Sequence, residues 1–324
     1  MSTANQVPET WGLTGDEARK TLERTGRWTL IRDAFKRLRF ADGFSHARSM
    51  AYEATLVFLE GIIALIGLAS ALGSGGFSNT IVKTLQKIVP GPAGRILTDA
   101  VQQAHKTGSS HGSLALIIGL VAALITGTTL MGQIERALNR MYGIEQDRPT
   151  GRKYGRAFVL TISAGVLLVA AFAALALGRA ISSSLSGHTA STVWNVLRWP
   201  LALGLLIAAI ALLFKWSPRR HQPGWSWLAF GAIVAVILLT IVTLGLDAMF
   251  QISSTFGKTY GPLAGIVALM LWALLASISL LFGGAIGAQL EAVRGGRPAP
   301  QSAQKVMESE PDVAHRAAVG DQNR

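Results

Sequence analysis

The sequence predicts an all-α membrane protein, a bundle of six transmembrane helices with the N- and C-termini cytoplasmic. Three features lead to this prediction: an apolar composition, six apolar segments of spanning length, and basic residues concentrated on one side of them. Half of the 324 residues are hydrophobic and only 15% are charged, against about 25% in soluble domains. The mean hydropathy is +0.39, and a soluble chain of this length would need more polar surface.

Six segments are apolar and long enough to cross a bilayer, which takes about 20 residues of helix. In chain order they are 51–72, 114–131, 157–178, 198–214, 227–250 and 262–288. None alternates between apolar and polar residues as a barrel strand would, and a spanning segment must satisfy its backbone hydrogen bonds internally. The six segments therefore predict helices.

Lysine and arginine predict the orientation, because cytoplasmic loops carry an excess of both. All but seven of the 30 basic residues fall in the segments 1–50, 132–156, 215–226 and the carboxy-terminal tail. The seven exceptions are Lys83, Lys87, Arg95, Lys106, Arg179, Arg198 and Lys258. The net charge of +12 thus follows from topology, and we expect no nucleic acid as a partner.

The chain divides into three parts on this basis. Residues 1–50 form a cytoplasmic amino-terminal segment, and residues 51–291 form the six-helix transmembrane domain, with a long outer loop at 73–113. Residues 292–324 are rich in Gly, Pro, Ala, Ser and charge, a composition typical of disorder. We therefore predict a disordered cytoplasmic tail.

Residues 28–39 predict an amphipathic helix in the amino-terminal segment. Apolar side chains recur at spacings of three and four, and basic residues fill the positions between them. Such a helix lies on the inner leaflet and binds anionic lipid. Its predicted membrane-surface residues are Trp28, Arg32, Phe35, Lys36, Arg37 and Arg39. The alternative is an ordinary cytosolic helix that packs on the bundle.

Three acidic residues in the spans are candidates for binding substrate or protons. Glu53 and Glu60 are two helical turns apart on the first span, so they share a face. A carboxylate at bilayer depth costs about 2.5 kcal/mol or more and usually faces a cavity or a partner. The alternative is a protonated carboxyl group that bonds a neighbouring helix. Asp247, near the outer end of the fifth span, could pair with Arg179 or Lys258 or remain solvated.

The sequence contains none of the common catalytic motifs. It has no cysteine, which excludes thiol nucleophiles and zinc–thiolate sites. No histidine pair has the spacing of a metal-binding motif, and neither a nucleophile elbow nor a phosphate-binding loop is present. We therefore expect no metal, no cofactor and no enzymatic activity.

Small residues recur every four positions on three spans, a pattern typical of helix contacts in lipid. The three sets are Gly119, Ala123 and Gly127; Ala170, Ala174 and Gly178; and Gly283 and Gly287. We interpret them first as packing faces within one chain. Contacts in a homo-oligomer are the second interpretation.

Several stretches together resemble the YihY/BrkB family of bacterial inner-membrane proteins, formerly labelled "ribonuclease BN". They are Ala51-Tyr52, the block 133–143 that contains ALNRMYG, the block 260–265, Trp272 and Gly283-Gly284-Ala285. The resemblance covers about residues 30–292. It departs from the family in the first span, where Glu60 stands at the position of a usual proline.

The resemblance implies six spans and a multi-pass protein of the bacterial plasma (inner) membrane. Family members have been connected with serum resistance and envelope lipid export, so it implies a transporter or flippase of a lipid or other amphiphile. If the protein is such a transporter, we expect a lateral or central cavity lined by Glu60, with membrane lipids as partners. A scaffold protein without transport is the alternative, and a membrane-bound enzyme ranks third. The ribonuclease label is regarded as a misassignment, so we expect no such activity.

Overall fold

The computed structural model describes residues 3–71, 91–92, 112–176, 188–252 and 263–302. Eight named helices and an isolated β-bridge, but no named strand, occur within these ranges. The helices are α1 (Gly15–Thr25), α2 (Arg27–Phe40), α3 (Gly43–Ala71), α4 (Gly112–Met141), α5 (Thr150–Ala176), α6 (His188–Trp216), α7 (Trp225–Ile252) and α8 (Ala264–Arg294).

Among the described residues, five helices have the length and apolar composition to cross a membrane. They are α4 to α8, and they cover the described parts of the second to sixth predicted spans, except for Leu263 just before α8. The first predicted span lies in α3, a 29-residue helix, and several side chains in its last two turns are outside the description. An all-helical protein with several membrane-spanning helices is therefore confirmed.

The long helices pack mainly in pairs: α3 against α4, α5 against α6, and α7 against α8, with α8 also against α3. Two glycines of α4 allow close approach of its neighbours. A Cβ at Gly119 would lie 2.5 Å from the backbone nitrogen of Ala64 in α3, and one at Gly127 would lie 2.8 Å from Thr161 Cγ2 in α5. The small residues predicted on the second span thus do pack within the chain.

The other two small-residue patterns are confirmed in part. A Cβ at Gly283 of α8 would lie 2.5 Å from the Gly231 carbonyl oxygen of α7, whereas one at Gly287 would meet nothing within 4 Å. Ala174 of α5 packs on Ala202 of α6, and Gly178 lies outside the described residues.

The loops predicted to be cytoplasmic are shorter than expected because the helices continue beyond the apolar spans. The sequence suggested a loop at 132–156, but α4 runs to Met141 and α5 begins at Thr150. Polar and charged side chains in the last turns of α4 bond to neighbouring segments. These bonds stabilise the part of the helix that lies beyond the apolar span. The ALNRMYG block therefore ends a helix rather than forming a loop.

The predicted tail is packed over its first part, which corrects the boundary at 292. Helix α8 extends to Arg294, and residues 295–302 run beside the amino-terminal segment. Asn5 N donates to Pro300 O and Ser302 N donates to Thr3 O, both at 2.9 Å. Residues 303–324, and all of the predicted outer loop 73–113 except 91–92 and 112–113, lie outside the described residues.

Candidate functional site

The two carboxyl groups of α3 both bond to threonines of α4. Thr126 Oγ1 donates to Glu60 Oε1 at 2.9 Å, and Thr129 Oγ1 donates to Glu53 Oε2 at 2.7 Å. Thr129 Oγ1 also lies 2.7 Å from the Thr126 carbonyl oxygen, so its single proton has two competing acceptors. The sequence placed Glu53 and Glu60 on one face, and the structure places both against α4.

Glu60 keeps one carboxyl oxygen without a partner. Its Oε2 is buried, and no hydrogen-bond donor reaches it among the residues that the structure describes. A buried oxygen of this kind is costly in a membrane unless it carries a proton or meets a ligand. Of the three candidate carboxyl groups Glu53, Glu60 and Asp247, Glu60 is therefore the one with a buried oxygen that has no partner among the described residues.

An apolar groove of about 440 Å³ runs between α4 and α5. Its walls are Val121, Leu124, Ile125, Thr128, Thr129, Tyr154 and Phe158. Thr129 belongs both to this groove and to the bond with Glu53, so the groove ends at the threonine that bonds Glu53. It does not touch Glu60, and in this respect it differs from the predicted cavity.

Trp272, which belongs to the resemblance, lies close to the same part of α3. Its ring contacts Phe58 edge-on, with centroids 5.9 Å apart, two residues before Glu60. Its indole nitrogen donates to Thr243 Oγ1 of α7 at 3.0 Å. Trp272 thus links three helices next to the candidate site.

Asp247 has a partner on its own helix. Gln251 Nε2 donates to Asp247 Oδ2 at 2.7 Å, one turn further along α7. The suggested ion pairs with Arg179 or Lys258 involve residues outside the described ranges, so they stay predictions. We see no contact between Asp247 and the carboxyl pair of α3 among the contacts of the described residues.

The prediction that Arg37 binds the membrane surface is wrong. Arg37 is fully buried on the face of α2 that packs on the bundle, together with Leu30, Ala34 and Leu38. Burial lowers the pKa of Arg37 to about 10, an effect that Tyr142 opposes, so the guanidinium stays charged at neutral pH. The other five predicted surface residues do not share this buried face.

Arg37 holds four segments together at the end of the bundle that contains the amino-terminal segment. Its Nε donates to Gln289 Oε1 of α8 at 2.7 Å. Its Nη1 donates to the carbonyl oxygens of Asn5 at 2.9 Å and Met141 at 3.1 Å. Because Met141 ends α4, the guanidinium also satisfies a carbonyl at a helix C-terminus, where positive charge is favourable.

A buried ion pair lies at the same end of the bundle. Arg220 Nη2 lies 2.5 Å from Glu291 Oε1, and both side chains are almost fully buried. Thr10 Oγ1 donates to the same carboxyl oxygen at 2.6 Å, and the Arg220 guanidinium lies 4.6 Å from the centre of the Tyr142 ring. Burial, with the charge of Glu291, raises the pKa of the Tyr142 phenol, so Tyr142 stays neutral at physiological pH.

The ALNRMYG block contributes to a third polar cluster, around Asp147. Asn139 Nδ2 donates to Asp147 Oδ1 at 3.2 Å, and Lys153 Nζ lies 3.5 Å from Asp147 Oδ2. Burial acts to raise the pKa of Asp147, but the Asn139 hydrogen bond and three positive charges hold it below its usual value. These charges belong to Lys153, Arg140 and Arg136.

Sequence reasoning missed these buried polar clusters. The block 133–143 indicates family resemblance and the charges of 132–156 indicate topology, but neither pattern predicts the contacts. Buried charged residues such as Arg37, Glu135 and Glu291 have no signature in a single sequence, because their partners come from distant segments. Among the residues that the structure describes, no group of three His, Asp or Glu side chains could hold a metal ion.

Comparison with known proteins gives the family. The sequence profile described as "Virulence factor BrkB" matches residues 34–308, most of the chain. The protein belongs to the BrkB family. It is an integral, multi-pass protein of the bacterial inner membrane. No solved structure is detectably similar to it.

Relatives of this BrkB-family chain are distant in sequence. It is 24% identical to the ribonuclease-like protein YfkH of Bacillus subtilis over 267 residues, 81% of this chain and 95% of YfkH. It is 25% identical to a UPF0761 membrane protein of Methylibium petroleiphilum over 252 residues, 75% of this chain and 57% of that protein. A UPF0761 membrane protein of Stenotrophomonas maltophilia is 24% identical over 270 residues. The chain thus spans about 60% of the length of these UPF0761 relatives.

Proposed function

We propose that this BrkB-family protein transports a lipid or another amphiphile across the bacterial inner membrane. The observation that carries the proposal is Glu60, midway along an apolar helix. One of its carboxyl oxygens accepts a hydrogen bond from Thr126, and the other is buried without a partner in the described part of the chain. A carboxyl group in this setting exchanges a proton, or meets a substrate headgroup, at low cost to the fold.

The groove between α4 and α5 supports an amphiphilic substrate. Its walls are apolar except for two threonines, and its residues Ile125, Tyr154 and Phe158 are exposed on the outer surface of the bundle. An acyl chain in the bilayer reaches such a groove without crossing water. Thr129 connects this path to Glu53, and Glu53 lies two turns from Glu60.

We further propose six crossings, with α3 as the first and both termini in the cytoplasm. The amino-terminal segment contacts Tyr142 after α4, Arg220 before α7 and Pro300 after α8. These contacts favour an even number of crossings between the amino-terminal segment and each of those points. The basic residues at the same end favour the cytoplasmic side.

A transport assay on purified protein tests the function. The protein is reconstituted into liposomes with a fluorescent phospholipid, and reduction by an impermeant agent reports movement between leaflets. We expect Glu60→Gln to reduce the rate at least about tenfold, as for loss of one ionisable group in a proton-coupled step. The control is Thr240→Val, because the Thr240 hydroxyl donates back to the Val236 carbonyl oxygen of its own helix. Full activity of Glu60→Gln would refute the proposed role.

A scaffold function is the second candidate, and one observation favours it. The small cavity enclosed by Leu138, Tyr142, Phe214 and neighbouring residues has a volume of about 10 Å³, enough for about one water molecule. In this case Glu60 is only a helix-packing carboxyl group. Affinity purification from native membranes distinguishes the two, because a scaffold requires a stable protein partner, including a second copy of the chain.

We also propose that the chain is not a ribonuclease, although the name of its relative YfkH includes that activity. The sequence has no recognised metal-binding spacing for hydrolysis. The test is RNA cleavage by stringently purified protein with added Mg²⁺ or Mn²⁺. Metal-dependent cleavage that co-elutes with the protein would overturn this proposal.

A further inference from the structure

Helix α2 has two distinct faces. One face packs on the bundle through Leu30, Ala34, Arg37 and Leu38. The opposite face exposes three large apolar side chains: Trp28 is 83% exposed, Ile31 43% and Phe35 45%. Residues 28, 31 and 35 follow the spacing of neighbours on a helix, so the three side chains form one patch.

Basic side chains lie along one side of this apolar patch, on the part of α2 that faces away from the bundle. The side chains of Arg32 and Lys36 are 66% and 48% exposed, and Arg39 is also exposed. Asp33, the one acidic residue of α2, lies 3.3 Å from Arg32 and 3.8 Å from Lys36. A positive strip therefore remains beside a patch of Trp, Ile and Phe, the composition typical of helices that bind anionic membrane surfaces.

The depth of the patch fits the headgroup layer. Phe35 contacts Phe44 edge-on, with ring centroids 6.0 Å apart. Phe44 stands seven residues before Ala51, where the first apolar span begins, and seven residues correspond to about 10 Å of helix. The polar layer beside the hydrocarbon core is about 5–8 Å thick on each side. The exposed face of α2 thus lies at, or just beneath, the inner headgroups.

The orientation of this face is fixed before any lipid binds. The bonds of Arg37 to Asn5, Met141 and Gln289 prevent α2 from rotating about its axis. Leu30 and Leu38 are buried on the same side of the helix. A fixed helix loses little conformational entropy on binding.

We propose that the exposed face of α2 is a binding surface for anionic phospholipid headgroups of the inner leaflet. Trp28, Ile31 and Phe35 enter the interface between headgroups and acyl chains. Arg32, Lys36 and Arg39 bind the phosphates. This inference is independent of the proposed transport function, because it concerns a surface of the cytoplasmic segment.

The absence of cysteine in the sequence makes a site-specific label straightforward. Ile31→Cys carries a nitroxide label, and the full-length protein is placed in nanodiscs of phosphatidylcholine, alone or mixed with phosphatidylglycerol. Power saturation then compares accessibility to oxygen, which enters lipid, and to a water-soluble nickel chelate. Lys20→Cys is the control, because Lys20 is exposed on α1 and is not part of the patch.

We expect the label at position 31 to favour oxygen over the chelate in phosphatidylglycerol discs and less so in phosphatidylcholine alone. The label at position 20 should favour the chelate in both. Replacing Arg32 and Lys36 with Gln should reduce the ratio of membrane-bound to free α2 in anionic discs about fivefold for each charge removed. Added salt should reduce the same ratio. Gln substitutions at these exposed positions leave the buried face of α2 intact.

Two outcomes would overturn the proposal. If position 31 is as accessible to the chelate as position 20 in both lipids, the patch is not on the membrane and is open to a protein partner. If position 31 is equally protected in both lipids and insensitive to charge neutralisation, the helix inserts without recognising anionic headgroups. Neither outcome bears on the Glu60 transport assay.

Discussion

Arg37 Nε and Gln289 Oε1 form a buried hydrogen bond of 2.7 Å between residues that are 252 positions apart. The same guanidinium bonds to the amino-terminal segment and to the end of α4. One side chain therefore couples the first described residues of the chain to the last turns of α8. Such bonds connect the segments at this end of the bundle.

Replacing Arg37 with Met should destabilise the protein. Met keeps much of the apolar stem but leaves two backbone carbonyls and the Gln289 side chain without their donor. We expect a loss of about 2–4 kcal/mol, or an apparent Tm lower by about 5–10 °C. Thermal unfolding in detergent measures the change, with the exposed Arg39→Met as control. Equal Tm values for the two variants would contradict the role of Arg37.

The contact between Gly231 and Gly283 should not tolerate a methyl group. A Cβ at Gly283 would lie 2.5 Å from the Gly231 carbonyl oxygen and 2.7 Å from Ala235 Cβ, so α7 and α8 would have to separate. We expect Gly283→Ala to cost about 1–3 kcal/mol. Gly287→Ala, where nothing lies within 4 Å, should be neutral or slightly stabilising. Similar stabilities of the two alanine variants would argue against this helix contact.

Asp147 should contribute stability that disappears in acid. Its pKa lies below the usual 3.8 in the folded protein, so the folded state favours the ionised carboxylate. This contribution is complete above the unfolded pKa and is lost as the pH falls through the folded pKa. The stability difference between wild type and Asp147→Asn should be constant at neutral pH and shrink only below about pH 4. A difference that instead shrinks between pH 6 and 8 would assign the effect to another group.

Thr126→Val should weaken transport through Glu60. Valine has nearly the same shape as threonine but cannot donate to Glu60 Oε1, which removes the hydrogen bond of 2.9 Å. We expect a smaller loss of rate than in Glu60→Gln, about tenfold or less, which corresponds to loss of one hydrogen bond. In a Glu60→Gln background the Val substitution should have little further effect, because the two residues act as a pair. Additive losses would show that they act separately.

The helices were predictable from the sequence, because apolar runs of spanning length leave the backbone no alternative in lipid. The face shared by Glu53 and Glu60 was also predictable, since it follows from helical geometry alone. Their threonine partners were not predictable, because the sequence does not distinguish Thr126 and Thr129 from the other threonines of the spans. The packing of α3 on α4 brings these two into contact with the glutamates.

Arg37 shows why the packing of the amino-terminal segment on the bundle was not predictable. Basic residues are spread around α2, and the spacing of its apolar residues does not predict which basic residue faces the bundle. The answer depends on Asn5, Met141 and Gln289, which lie far apart in the chain. The predicted tail boundary at 292 was also too early. Residues 295–302 pack on the amino-terminal segment, a contact between distant parts of the chain that the sequence pattern does not show.

The most direct test of amphiphile transport by way of Glu60 is to identify the small molecules that co-purify with the protein. Wild type and Glu60→Gln are purified in mild detergent, and retained lipids are measured by mass spectrometry. We predict a defined lipid class enriched in wild type and lost in Glu60→Gln. Bulk membrane lipid alone in both proteins would contradict the account and favour Glu60 as a helix-packing carboxyl group.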